Sequence, residues 1–406
     1  MIKVTHLITV GTGGAYKAVE RLSEALNGLR SVSSTVLLRN KVFNDTNAAE
    51  FLDNPVKSFV SKTKNVINKL FASGDITRDL LGSNVAAHST VKDADVIIVH
   101  WINSFLSYKT LSKVIAMGKP VVIFTHDMWH MTGGCHNNGD CKQYTLGCNN
   151  CPQTGKGSNV AAKNYIDKKR LYAASNVTLI APSNDYLERS DAGGILGDVS
   201  KKCIFNCLNT DIFKKLDIKP DAASIGLRTD IPTVMFCADN AGVNNPNKGF
   251  DILSKALEEF DKDRIQLLVV GNIDKDIIGK LGFSYYAPGF IHDEAKMVEL
   301  YNLATVNVVP SLQESFCYSS AEALSCGTPV VTFPVGGLKD QVIHKKNGYL
   351  AEYKSSRDLA EGIRYCINNY SELSSNAVQS ADKFSYDTVA AQWESYLFKI
   401  TEHVNE

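Results

Sequence analysis

The sequence predicts an α/β protein of two domains, each a parallel sheet with crossover helices. Strand-like apolar runs alternate with helical patterns along the chain, which argues against an all-β or all-helical fold. A polar, proline-containing passage splits these runs into two series. The 406 residues also exceed the size at which one hydrophobic core stops growing.

In the first series, residues 3–10 read as a strand that runs into Gly11, Thr12, Gly13 and Gly14, followed by an amphipathic helix over 15–29. Further strands are predicted at 34–38, 95–101, 120–125 and 177–182, with a sixth at 202–206. Ser183 and Asn184 read as the cap of the helix that follows the fifth. The first domain is thus drawn over 1–208, with a cysteine-rich loop at 132–152, and residues 209–231 form the connection. The second domain, 232–384, takes strands at 233–237, 266–270, 306–309 and 329–333 and helices over 250–260 and 294–303. A helix over 316–326, stopped by Gly327, sits between its last two strands. The terminal segment 385–406 holds a last helix at 386–401.

Charge excludes one class of partner. Lysine plus arginine and aspartate plus glutamate both number 43, so no overall field draws the chain to nucleic acid. The first ten residues carry no cleavable small-residue site, and no apolar run approaches the ~20 residues of a membrane-spanning helix. A cytoplasmic protein is the expectation, and with it reduced cysteines. Residues 54–74 add a membrane-facing option, since Lys57, Lys62, Lys64 and Lys69 interleave there with Phe59, Val60, Val66, Ile67, Leu70 and Phe71 and no acid intervenes. Such a segment suits peripheral contact with the cytoplasmic face of an inner membrane, where a lipid-linked acceptor would be met. It equally suits a surface helix that buries its apolar stripe in the protein.

The residues that carry chemistry begin with Glu314 and Glu322, which flank the start of the helix over 316–326. At 1.5 Å rise per residue their eight positions span roughly 12 Å, comparable with the sugar-to-ribose distance across a nucleotide diphosphate. Between them, free amides at the helix N-terminus and the hydroxyls of Ser319 and Ser320 suit the diphosphate itself. Two surface acids on a solvated helix would read the same way. His126 and Asp127 follow a buried-type strand, at the end where ligands of open sheets gather. Gly13 and Gly14 suit close approach of backbone to ligand, or a plain tight turn. Lys248 precedes a helix and is either a phosphate-facing charge or a solvent lysine.

The loop 132–152 places Cys135, Cys141, Cys148 and Cys151 within seventeen positions. Four thiolates at this spacing suit structural zinc, with packing thiols and disulfides as the other readings, and His136 is a substitute ligand or an exposed side chain. A catalytic metal is not expected, because four cysteines leave no open position for water.

Glu314 and Glu322, then Ala323, Leu324, Cys326, Gly327, Thr328, Pro329, Val330 and Val331, then Gly336–Gly337 and Asn347–Gly348–Tyr349–Leu350, resemble the donor-site signature of the retaining GT-B glycosyltransferases of family 4, also called glycosyltransferase group 1. The Thr132–Gly133–Gly134–Cys135–His136 stretch resembles a bacterial branch of that family that assembles surface polysaccharide of the colanic acid, O-antigen and lipopolysaccharide kind. The resemblance implies a GT-B fold, two Rossmann-like domains facing a central cleft, with the last helix crossing back to the first domain. It implies that Glu314 and His126 contact the donor sugar as the catalytic pair and that Glu322 holds the ribose. Donor-binding roles fall to Gly13, Gly14, Lys248, Phe290, Cys317, Tyr318 and Ser319. Two departures stand out. Ser315 and Cys317 replace glycines usual after the first acid, and residues 239–242 lack the arginine that usually partners the lysine.

The reading that follows is a retaining hexosyltransferase that takes a UDP- or GDP-sugar to a lipid-linked saccharide and needs no cofactor for catalysis. The alternatives are a GT-B nucleotide-sugar epimerase and a sugar-nucleotide-binding protein without turnover.

Overall fold

Strands buried on both faces have no polar side to turn to water, so they settle inside parallel sheets covered by helices. Val96–Val99, Val121–Phe124, Gln266–Val270 and Val306–Val309 are buried at every position and fold in this way. The computed structural model describes residues 1–40, 48–50, 76–78, 80–155, 157–237 and 245–402. The basic segment 54–74 and positions 239–242 lie outside the described residues. The chain divides into two compact units, Met1–Cys207 with Val389–Glu406, and Leu208–Thr388.

The first unit is built on β1 (Ile2–Val10), β2 (Val32–Asn40), β3 (Ala48–Glu50), β4 (Val96–Val99), β5 (Val121–Phe124), β6 (Val177–Ala181) and β7 (Ser200–Cys203). They pair in parallel, in the order β3-β2-β1-β4-β5-β6-β7. The second unit holds β8 (Thr233–Cys237), β9 (Gln266–Val270), β10 (Tyr285–Gly289), β11 (Val306–Val309), β12 (Val330–Thr332) and β13 (Gly348–Leu350), also parallel, in the order β10-β9-β8-β11-β12-β13. Each sheet therefore grows outward in both directions from one pair of strands, β1 and β4 in the first, β8 and β11 in the second. Loops leaving those two pairs at their carboxyl ends diverge to opposite sides and leave a crevice, which is where such folds bind ligands.

Several elements differ from the sequence expectation for local reasons. The first helix runs over Gly13–Asn27, because Thr12 is extended at φ −148° and Gly13 turns the chain at φ +83°. The short strands β3 and β13, three residues each, carry too few positions for a period to show in sequence. The passage 209–231 belongs to the second unit. There Phe213 is fully buried with its ring 6.5 Å from that of Tyr301, and the Leu216 amide donates to Asn302 Oδ1 at 2.9 Å.

The helix Tyr386–Glu402 carries its buried face into the first unit from Val389 onward. Trp393, fully buried, stacks on Phe124 at the end of β5 with ring centroids 6.1 Å apart, and Tyr396 Oη donates to Thr178 Oγ1 of β6 at 2.7 Å.

Candidate active site

In the second unit both loops that leave the diverging strands carry charge. After β8 the turn Pro246–Lys248 closes on Gly249, whose φ of +67° only glycine adopts freely, and this delivers Lys248. After β11 the loop carries Ser311 and Glu314. Lys248 Nζ donates to Glu314 Oε1 at 2.8 Å, and Ser311 Oγ donates to the same oxygen at 2.9 Å. With side chains 24% and 14% exposed, the ion pair is sheltered yet open to solvent on one side.

Close backbone contacts hold this loop. A Cβ on Gly336 would stand 1.5 Å from the carbonyl oxygen of Glu314, and one on Gly337 would stand 2.6 Å from Phe316 Cα. One on Gly249 would stand 2.0 Å from the carbonyl oxygen of Pro310. The glycines thus let two other segments press directly on the backbone of 310–316. Gln341 Nε2 adds a hydrogen bond to the Phe316 carbonyl at 2.7 Å.

The helix after this loop spans Tyr318–Ser325, starting later than the predicted 316, because Cys317 adopts a left-handed φ of +81° that breaks the helical path. Glu314 and Glu322 are therefore not on one continuous helix, and the axial spacing of roughly 12 Å does not apply to them. Glu322 is 5% exposed and its Oε2 accepts a hydrogen bond from Tyr301 Oη at 3.0 Å, so it is a buried, oriented acid rather than a surface one. Ser319 is half-buried beside Cys317, with Oγ 3.4 Å from Sγ, whereas the Ser320 hydroxyl is wholly buried and has no hydrogen-bond partner among the described residues. Burial and the neighbouring Glu314 push the Cys317 thiol up to about 12, so it stays neutral. Tyr318 stands half-buried, edge-on to Phe316 at 5.3 Å. Phe290, 40% exposed, follows Gly289 at the end of β10 and packs against His292.

In the first unit the matching strands are β1 and β4, and His126 lies just beyond β5, next to β4. Its Nε2 is 2.8 Å from Nδ1 of His100, and Nε2 of His100 is 2.8 Å from Nδ1 of His6 on β1. Burial lowers His6 and His126 to about 3 and takes His100 well below the usual histidine range, so all three rings are neutral at pH 7. His126 does not pair with its neighbour in sequence. Asp127 instead accepts from His136 Nδ1 at 2.6 Å. Burial pushes the Asp127 carboxyl up, but the hydrogen bonds from His136 and the Trp129 amide, with the nearby imidazoles of His136 and His130, together outweigh it and hold the acid below its usual range. Gly13 and Gly14 begin the first helix beyond β1 with nothing within 4 Å of where a Cβ would stand, an open face on the backbone.

Residues 240–384 match the family Glycosyl transferases group 1.

That glycosyl transferases group 1 match lies within the second unit and contains Lys248, Phe290, Glu314, Cys317 and Glu322. A D-inositol 3-phosphate glycosyltransferase of Catenulispora acidiphila is 27% identical over 208 residues, 45% of this chain and 47% of that protein. The chain thus spans about half the length of the curated relative it matches. Over nearly its whole length the chain is similar in structure to the sucrose-phosphate synthase of Thermosynechococcus elongatus, with TM-score 0.68, 17% identity and coverage of 99% and 100% of the two chains. Anabaena HepE in complex with UDP gives TM-score 0.67 and 19% identity, with 98% and 100% covered. Likeness at this level of identity establishes the fold, which is GT-B with two Rossmann-like domains.

The cysteine loop lies outside the glycosyl transferases group 1 match. All four of its cysteines are free thiols, and together they line a single cavity of about 20 Å³. Cys148 Sγ accepts from the Gly133 amide at 3.2 Å, and Cys141 Sγ from the Gln143 amide at 3.5 Å. Burial pushes the Cys148 thiol up to about 11. Among the described residues, no three Cys, His, Asp or Glu side chains are placed to hold a metal ion as they stand. His136, the candidate substitute ligand, is instead committed to Asp127 and approaches Thr77 Oγ1 at 3.1 Å.

Sequence reasoning missed His6, His100 and Lys168. The first two sit in apolar strand runs, and a histidine inside such a run was the available signal. Lys168 is fully buried on the helix Val160–Tyr172, with Nζ donating to the Trp129 and Thr132 carbonyls and standing 3.6 Å from the centroid of the Trp129 ring. It pins the chain between His126 and the cysteine loop.

Proposed function

We propose that the protein is a retaining glycosyltransferase that moves a hexose-type sugar from a nucleotide diphosphate sugar to a lipid-linked saccharide in surface polysaccharide assembly. The observation that carries this reading is the Lys248–Glu314 pair beyond the carboxyl ends of β8 and β11, beside the amides that open the helix Tyr318–Ser325. An ammonium and a helix N-terminus attract a diphosphate, and a carboxylate held by Ser311 accepts from sugar hydroxyls. When the donor enters, Lys248 turns its charge from Glu314 to the diphosphate and the acid is released to the sugar. Tyr301 orients Glu322 toward the ribose.

In the reaction, the bond from the anomeric carbon to the diphosphate oxygen breaks with its electron pair on that oxygen. The acceptor hydroxyl forms the new bond on the same face, and its proton passes to the departing diphosphate. No separate base is required, which agrees with a neutral His126 that acts by positioning. In the same reading the four thiols of the cysteine loop close around their shared cavity as a structural zinc site, each turning its sulfur inward. No helix among the described residues is long and apolar enough to cross a membrane. Contact with the cytoplasmic face of an inner membrane is assigned to residues 54–74.

The test is donor turnover. Purified protein is incubated with UDP-, GDP-, ADP- and dTDP-sugars and membrane lipid extract, and free nucleotide diphosphate is measured. Release from one donor that needs the extract and retention of configuration in the product support the reading. Epimerised free donor replaces it with an epimerase, and tight donor binding without any release replaces it with a binding protein.

A further inference from the structure

We infer that His6 and His100 are positioning residues that hold His126 in a single tautomer, so that His126 accepts a hydrogen bond from a sugar hydroxyl and offers none to a phosphate oxygen. The ligand in this statement rests on the transferase reading, whereas the tautomer does not.

Four adjacent strands, β2, β1, β4 and β5, carry the residues. Ser34 lies on β2, His6 on β1, and His100 and His126 just past β4 and β5. Val36, His6, Ile98 and Val122 stand opposite one another across the sheet. Ser34 is two positions before that row and His100 two after it, so with His6 they share one face and the chain of contacts climbs toward the carboxyl ends. His6 Nε2 is 2.9 Å from Ser34 Oγ, and Ser34 Oγ donates to Ser23 Oγ at 2.9 Å.

Direction follows by counting hydrogens. The single hydroxyl hydrogen of Ser34 is given to Ser23, so Ser34 accepts from His6, and His6 carries its hydrogen on Nε2. A neutral ring has only one, so His6 Nδ1 is a lone pair and accepts from His100 Nε2–H. His100 Nδ1 is then a lone pair and accepts from His126 Nε2–H. His126 is left with a bare Nδ1, which has no hydrogen-bond partner among the described residues, on a ring that is partly exposed. Reversing any one link would place two lone pairs or two hydrogens face to face at 2.8 Å in a buried site, so the three rings switch together or not at all.

A bare ring nitrogen attracts O–H and repels an ionised phosphate oxygen, which has no hydrogen to give. The site beyond β5 is thereby selective for the hydroxylated part of a nucleotide sugar rather than its diphosphate. His130 shows the contrast: its Nε2 must donate to the His100 carbonyl at 3.0 Å, its Nδ1 accepts from Tyr172 Oη at 2.7 Å, and nothing remains for a ligand.

Proton–nitrogen correlation spectra of the full chain labelled at histidine nitrogens read the tautomers without substrate. Wild type is expected to show an unprotonated Nδ1 at His126. His6→Gln keeps an acceptor for His100 and a donor for Ser34 and should preserve that pattern, whereas His6→Leu removes both and should move His126 toward Nδ1–H. A protonated Nδ1 in wild type, or a folded His6→Leu with the His126 pattern unchanged, overturns the inference. If His6→Leu does not fold, Ser34→Ala makes the same comparison, because it removes the acceptor that sets the direction. A kinetic arm uses UDP-glucose or GDP-mannose, whichever is turned over, and its monodeoxy analogues. One deoxy analogue should lose about tenfold in kcat/KM with wild type and His6→Gln, the size of one neutral hydrogen bond, and the deoxyfluoro analogue at that position, which accepts but cannot donate, should do no better than the deoxy one with wild type but better than it with His6→Leu, whose His126 Nδ1–H donates. Equal discrimination by wild type and His6→Leu overturns the hydroxyl assignment. Turnover of no donor, with the tautomer spectra as expected, overturns the transferase reading and leaves the tautomer lock standing.

Discussion

Glu314 divides one carboxylate oxygen between an ammonium and a hydroxyl, an arrangement that a competing diphosphate can undo. Glu314→Gln keeps the shape and removes the charge. Turnover is expected to fall by about 10²–10³-fold, the usual loss for one group that stabilises a transition state, as read by nucleotide release. Melting should move little, since a partly exposed ion pair contributes only ~1 kcal/mol. Loss of folding with undiminished turnover per folded molecule would make the pair structural. The buried histidines set an acid limit of their own. His6, His126 and His130 are held at about 3, 3 and 4 in the folded chain, against about 6.5 when unfolded. Between those values the unfolded chain binds more protons, so stability is full above about pH 6.5 and is lost as pH falls toward 3–4. Melting temperature against pH should show this fall, and His6→Gln should make it shallower.

Among the elements, two glycines that look alike in sequence have opposite surroundings. Gly336→Ala adds a Cβ where the Glu314 carbonyl already sits, at a φ of +51°, and is expected to cost more than about 3 kcal/mol or to displace the loop and abolish donor binding. Gly13→Ala meets open space and should cost about 1 kcal/mol for its φ of +83° alone. Denaturant melts with calorimetry of donor binding would separate the two. The cysteine loop makes a further prediction, about one zinc per chain by metal analysis, with Cys148→Ser lowering both metal content and melting temperature. Metal-free protein with the same melting temperature would leave the four as packing thiols. Much of this level could be read from sequence. The runs at 95–101, 120–125, 233–237 and 266–270 are long and apolar, and those strands formed near their expected bounds. Glu314 in the loop after β11, Glu322 on the helix that follows it and Lys248 ahead of another helix were singled out by their resemblance to a family signature set against that strand pattern. What could not be read was direction of the side chains. Asp127 turned to His136 rather than His126, Glu322 turned inward to Tyr301, and His6 and His100 joined across strands separated by 94 positions, information that lies in pairing order rather than in local pattern.

For the whole molecule, the order of the chain matters as much as its contacts. The first unit is interrupted by the entire second one and resumes at Val389. Trp393→Ala would open a cavity between that returning helix and Phe124, and about 3–5 kcal/mol should be lost from the first unit. The second unit holds Trp393 in neither its sheet nor its core, so a fluorescence or exchange probe placed there should report unchanged stability. A chain cut before Tyr386 should show the same division more strongly. During synthesis, the first unit must wait for its last helix. At roughly 5–20 residues per second, the stretch between β7 and Val389 takes on the order of 10–40 s to emerge, long enough for the intervening unit to fold first. Through that interval the surface around Phe124 and Thr178 that the helix will cover is bare, so the half that is made first is the half that is finished last.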